Sequence, residues 1–184
     1  LQAGYQKFHD AFSASNGASV GTLNVTANDT SAYMLGFKYA TGPWTMRLGY
    51  EREQFTNPSH PSADAITSLF GFPISGAVNV KAFDTRKTLD VYWGGVNYDL
   101  TSAWTLSAAY YQVNQNDFSG TGCATASAKC SGDSKFYSLL ADYRLSKRSD
   151  VYVGMMANRV SGGLGYGYAH ESNLIFGTGV RHSF

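Results

Sequence analysis

At 184 residues the chain is long enough for one domain with a sizeable core, and a net charge of +1 gives no bulk electrostatic case for nucleic acid or an anionic membrane surface. Its 13 Tyr, 11 Phe and 3 Trp stand beside 20 Gly and a mean hydropathy of -0.22, so apolar residues are interleaved with polar ones as in half-buried strands. No run approaches the roughly 18 apolar residues of a membrane-crossing helix, which leaves open a barrel whose strands need only about 9–11 residues, every second one apolar.

Eight strand-like segments are expected. Residues 1–9 make the first, and Leu1-Gln2-Ala3-Gly4-Tyr5 already lies inside a strand pattern, without the basic and apolar regions of a signal peptide. A polar stretch runs to about residue 30. Residues 31–40 then meet 44–54 through the tight turn Thr41-Gly42-Pro43. Tyr33, Leu35, Phe37 and Tyr39 share one face against Met34, Gly36 and Lys38, and Trp44, Met46, Leu48 and Tyr50 oppose Thr45, Arg47, Gly49 and Glu51. Residues 55–86 are the longest excursion and hold the apolar run Ala65-Ile66-Thr67-Ser68-Leu69-Phe70-Gly71-Phe72-Pro73-Ile74. Such a run needs cover. It either narrows a channel mouth or packs on a neighbouring subunit, or it extends strands above a membrane around a local core.

Residues 88–98 and 104–115 are joined by Asp99-Leu100-Thr101-Ser102-Ala103. The first of these strands is mixed, with Leu89, Val91 and Trp93 on one face and Tyr92, Val96 and Tyr98 on the other. A register-shifting bulge would account for that, and its inner face stays unassigned. The second alternates cleanly, Trp104, Leu106, Ala108 and Tyr110 against Thr105, Ser107, Ala109 and Tyr111. Residues 135–145 and 150–160 flank the turn Ser146-Lys147-Arg148-Ser149, with Tyr137, Leu139, Ala141, Tyr143 and Leu145 on one face. A Gly-rich stretch, 161–172, precedes the last strand, 173–184, where Leu174, Phe176, Thr178, Val180, His182 and Phe184 share a face.

Long and short connections alternate, the pattern of an antiparallel up-and-down meander. In an outer-membrane barrel the short turns are periplasmic and the long loops external, which places both chain ends in the periplasm. The paired aromatics Tyr33/Tyr39, Trp44/Tyr50 and Trp104/Tyr110 then mark the two membrane interfaces, and Phe184 joins them with its carboxylate in water. Lys38, Arg47, Glu51, Asp142, Arg144 and Arg181 fall on the opposite face amid Gly, Ser and Thr, as the lining of a water-filled lumen would. Four basic against two acidic residues there point to a modest anion preference.

Cys123 and Cys130, the only two cysteines, lie in a Gly- and Ser-rich stretch and are expected to form a disulfide across an external loop in an oxidising compartment. Catalysis finds little support. The four histidines, His9, His60, His170 and His182, are scattered, and no nucleophile elbow, zinc-protease or phosphate-loop motif occurs. An outer-membrane hydrolase would need a Ser–His pair facing lipid at one height, for which only His182 is placed. No cofactor or metal site is expected.

Several segments taken in order resemble the C-terminal half of general diffusion porins of the Gram-negative outer membrane, particularly the beta-proteobacterial group. They are Asp90-Val91-Tyr92-Trp93-Gly94-Gly95-Val96-Asn97-Tyr98, Ala108-Ala109-Tyr110-Tyr111, Ala141-Asp142-Tyr143-Arg144-Leu145-Ser146-Lys147-Arg148-Ser149-Asp150-Val151-Tyr152 and the ending Gly179-Val180-Arg181-His182-Ser183-Phe184. The resemblance implies an all-β transmembrane barrel, of which residues 1–184 are one segment supplying about eight of sixteen strands. It also implies a homotrimer in contact with outer-membrane lipid and lipopolysaccharide, passing small hydrophilic solutes and ions by passive diffusion. Family members usually begin with a Thr-Leu-Tyr-Gly-like run, which has no match here, so the half bearing the loop that constricts the pore is expected to be missing. Ser183 also departs from the basic penultimate residue of many members. The alternative is a complete eight-stranded barrel with a structural or adhesion role and no open channel.

Overall fold

A computed structural model describes residues 1–9, 13–15, 24–26, 29–57, 59, 68–69, 72–73, 85–118, 130–165 and 170–184. Eight strands form one antiparallel sheet in chain order: β1 (Gln2–Phe8), β2 (Thr30–Thr41), β3 (Trp44–Phe55), β4 (Lys87–Asp99), β5 (Trp104–Gln115), β6 (Gly132–Arg144), β7 (Ser149–Val160) and β8 (Ser172–His182). Two short hairpins lie apart from this sheet, Ser13–Ser15 with Asn24–Thr26 and Ser68–Leu69 with Phe72–Pro73. The apolar run from Ala65 to Ile74 otherwise lies outside the described residues. A strand of 12 residues, such as β2, is about 40 Å long and crosses a hydrocarbon core even at the usual barrel tilt.

The three short turns gather at one end of the sheet and are knitted to their neighbours. Gly42 takes a positive φ of 53°, which a side chain would disfavour, and lets β2 reverse into β3. Thr101 Oγ1 accepts from the backbone N–H of Ala103 and Trp104, and Ser146 Oγ does the same for Arg148 and Ser149. The amides of Asp99, Arg144 and Ser183 then donate across to the carbonyls of Pro43, Ala103 and Arg148, so each turn is fastened to the next strand.

Register is unbroken from β1 to β8. The bulge expected in β4 does not occur: its pairing runs from Trp44↔Tyr98 to Phe55↔Lys87 on one side and from Asp99↔Thr105 to Leu89↔Gln115 on the other. Residues directly opposite share a face. Tyr92, Gly94, Val96 and Tyr98 therefore belong with Trp44, Met46, Leu48 and Tyr50, while Leu89, Val91 and Trp93 belong with Arg47, Gly49 and Glu51. The mixed pattern is a strand that is apolar on both faces, not one that slips.

This sheet does not enclose a soluble core. Among the described residues the buried apolar side chains are Phe118, Cys130 and Val160, near the long-loop end. The large aliphatic and aromatic residues of the alternating pattern are exposed instead, Leu48 at 59% and Phe176 at 69%. Among the described residues β1 and β8 do not pair with each other, so the sheet is open at both edges. An eight-stranded barrel would need those two strands joined.

Candidate pore wall on the inner face of the sheet

The outward face carries two rows of aromatics. Near the short turns Trp44 packs on Tyr98 (ring centroids 4.4 Å apart), Trp104 on Tyr143 (4.8 Å) and His182 on Phe184 (5.0 Å). Tyr39 lies in the same region, opposite Met46. Farther up, Tyr50 packs on Tyr92 (5.1 Å) and Tyr110 on Tyr137 (5.0 Å), with Tyr33 beside them. Between the rows lie Leu35, Phe37, Leu48, Leu106 and Leu139, each at least 42% exposed. Above the upper row the outward face turns polar. Arg52 donates to both oxygens of Asp90 (2.6 and 3.0 Å), Tyr50 OH donates to the same carboxylate (2.6 Å), and Tyr110, Gln112 and Asn114 form a hydrogen-bonded chain. All seven aromatics expected at the interfaces stand on this face.

The inward face carries the charges read from the sequence as lining a lumen. Lys38, Arg47, Glu51, Asp142, Arg144 and Arg181 all lie on it by register. Their surroundings differ. Lys38 and Arg47 sit directly opposite each other across β2–β3, and neither has an ion-pair partner among the described residues. Like charges so placed repel, an arrangement that hydration or an anion relieves. Arg181 is held instead by Asp150, through both its Nε (3.1 Å) and Nη2, with Asp142 3.7 Å away. Arg144 reaches the Ser102 carbonyl (3.1 Å) and lies at the short-turn end. The register also adds Glu53, Lys87, Asp99 and Asp150 to this face, and basic and acidic side chains then balance. The surplus of two positive charges read from the sequence does not survive.

Space on this face is set by glycines that larger neighbours cover. A Cβ at Gly49 would run into the indole of Trp93, and one at Gly179 into the ring of Tyr152. At the long-loop end, Ser161 and the 3₁₀ turn Gly162–Gly165 fold back onto the segment before β6. Ser161 Oγ donates to Asp133 (2.6 Å), Gly163 N–H to the Ser131 carbonyl (3.0 Å), and Gln115 Nε2 to the Cys130 carbonyl (2.6 Å). Gly162 has a φ of 57°, and a Cβ there or at Gly163 would meet the backbone of Ser131 or Cys130. Gln115, Ser134, Asn158 and Val160 are buried beneath this cover. Cys130 is fully buried, and no free cysteine occurs among the described residues; Cys123 lies outside them.

Ser149 Oγ lies 2.8 Å from His182 Nδ1 on the outward face, a Ser–His contact the sequence could not reveal without the β7–β8 register. Among the described residues no carboxylate bonds His182 to orient it as a base, and the pair ties two strand ends together. No group of metal-binding side chains occurs among the described residues.

A family model described as Gram-negative porin matches residues 1–163. Among solved structures the chain is similar to OmpT, an outer-membrane protein of Vibrio cholerae. Against the outer-membrane-expressed form identity is 15% over 98% of this chain and 50% of that chain, with a TM-score of 0.59. The in-vitro folded form gives 15% identity, 98% and 49% coverage and a TM-score of 0.60. A loop L8 deletion mutant gives 16%, 91% and 43%, with 0.57. At such identity the likeness speaks for the fold alone, and the chain spans about half the length of these structures. No curated protein matches. The family match covers most of the chain, and the open meander with its girdled outer face agrees with it: the chain belongs to the Gram-negative porin family and is an outer-membrane protein.

Proposed function

We propose that this protein lines a water-filled channel for passive diffusion of small hydrophilic solutes and ions, as part of a barrel larger than the eight strands of this sheet. One observation carries the reading. A face of exposed aliphatic residues between two aromatic rows is backed, on the same strands, by a face where charges, glycines and small polar residues are interspersed with apolar ones. Lipid suits the first and water the second. The open edges β1 and β8 support further strands closing the wall, because an unpaired edge in hydrocarbon leaves backbone groups unsatisfied. They speak against the closed eight-stranded alternative. Homotrimeric assembly and contact with lipopolysaccharide belong to the same proposal and rest on the family resemblance. Full-length protein in a planar bilayer should give stepwise, ohmic conductance in KCl; correctly folded protein that inserts and carries no current would sink the channel.

The Cys123–Cys130 disulfide is part of the proposal, supported by the burial of Cys130 and the lack of a free thiol among the described residues. So short a loop contributes at most about 2–3 kcal/mol by chain entropy, and less where the segment is already anchored, as Cys130 is by Gln115 and Asp117. Reduction is therefore expected to leave the sheet folded, with unchanged far-UV circular dichroism and a small fall in unfolding temperature. Two titratable thiols in unreduced, denatured protein would refute the bond.

A further inference from the structure

We propose that Trp93, Tyr111 and Phe136 form a binding platform on the channel wall for aromatic carboxylates, an inference that rests on the channel reading above. The three residues come from adjacent strands and are direct neighbours in the β4–β5–β6 register, Trp93 opposite Tyr111 and Tyr111 opposite Phe136. All three face inward, and Tyr111 is 44% exposed. Trp93 and Phe136 are half-buried beside it, and apolar side chains left partly exposed on a wall that also carries charges are a usual mark of a binding surface.

The wall around the row is shaped. Gly49 on β3 makes room for the Trp93 indole, which lies across it, between Arg47 and Glu51 on the same face. Next to the aromatic row runs a row of small residues, Gly95, Ala109 and Ser138, that ends at Arg47. A solute lying on the rings therefore has clear space beside it and a cation about 7 Å along the strand from Gly49. Arg47 has no ion-pair partner among the described residues and faces Lys38. A flat apolar ring matches the platform, and a carboxylate matches the two cations. A neutral sugar would use the rings and leave the cations unanswered.

The test is current block in planar bilayers by benzoate, cyclohexanecarboxylate, acetate and neutral benzyl alcohol, each referred to the open conductance of the same full-length variant. Benzoate should block at concentrations about fivefold below cyclohexanecarboxylate, since stacked rings gain over burial alone, and acetate should block least. Tyr111→Leu and Phe136→Leu keep apolar bulk and should erase that ratio. Arg47→Gln should weaken benzoate and leave benzyl alcohol unchanged. A conducting channel that treats benzoate and cyclohexanecarboxylate alike, or keeps its benzoate preference in both Leu variants, overturns the platform and leaves the channel standing. Equal block by benzyl alcohol and benzoate overturns the role of Arg47. Absence of any current removes the channel reading, and this inference with it.

Discussion

Arginine in place of Leu48 is expected to cost the barrel about 2–4 kcal/mol of stability, whereas Ser107→Arg should cost far less. Leu48 is 59% exposed on the outward face, opposite Phe37 and Gly94, between the aromatic rows that end at Trp44 and Tyr50. A guanidinium there loses its hydration to hydrocarbon, and stretching toward the upper aromatic row to recover water costs side-chain freedom and distorts the bilayer. The substitution also removes the methyl that leans toward Gly94, where an added Cβ would sit 3.1 Å from Leu48 Cδ2. Ser107 faces the other way, opposite Asn97 and Leu140, where a new charge stays in water. Leu35, Leu106 and Leu139 should behave as Leu48 does. Urea unfolding from lipid vesicles, followed by tryptophan fluorescence, measures the difference; equal tolerance at Leu48 and Ser107 would mean that the two faces have been assigned the wrong way round.

Strand positions were legible because period-two alternation is imposed directly by the two solvents that the sheet separates. All eight segments appear, with ends displaced by no more than a few residues, as at Gly132 against an expected start at 135. β4 was illegible for a local reason. Leu89, Val91 and Trp93 put apolar groups on the water side, and hydropathy cannot tell a lumen aromatic from a lipid-facing one. Only the neighbours' register does. The charge inventory failed in a similar way. Lys87 and Asp99 flank the strand whose inner face the sequence left unassigned, and Glu53 and Asp150 lie toward strand ends, so the count missed them. Arg52 and Asp90 break the simple rule that charges point inward, and they can do so because each satisfies the other above the upper aromatic row. The Ser149–His182 contact joins residues 33 apart in sequence, a distance no local pattern bridges. Cys123 lies outside the described residues, so what the structure adds to the cysteine pair is the burial of Cys130 and the lack of a free thiol among the described residues.

In the channel proposed above, charge reversal at Lys38 and Arg47 together is expected to shift selectivity toward cations. The inner face as a whole is balanced, so any bias has to be local. Arg181 is engaged by Asp150 and Asp142, Arg144 is drawn to the Ser102 carbonyl at the short-turn end, and Glu53 and Lys87 lie toward the long loops. Arg47 and Lys38, with Glu51 farther along β3, remain as charges without ion pairs among the described residues. In a water-filled channel fields are screened within about 10 Å at 0.1 M salt, so distant charges neither add to this group nor cancel it. Two positive charges against one negative give an anion bias that should fade as salt rises. Lys38→Glu with Arg47→Glu leaves three negative charges in the same place, and the reversal potential under a KCl gradient should change sign. Arg144→Glu, at the channel end, should shift it less. A wild-type cation preference that the double reversal leaves unchanged would place the selectivity of the pore elsewhere on its circumference and deny Lys38 and Arg47 any part in it.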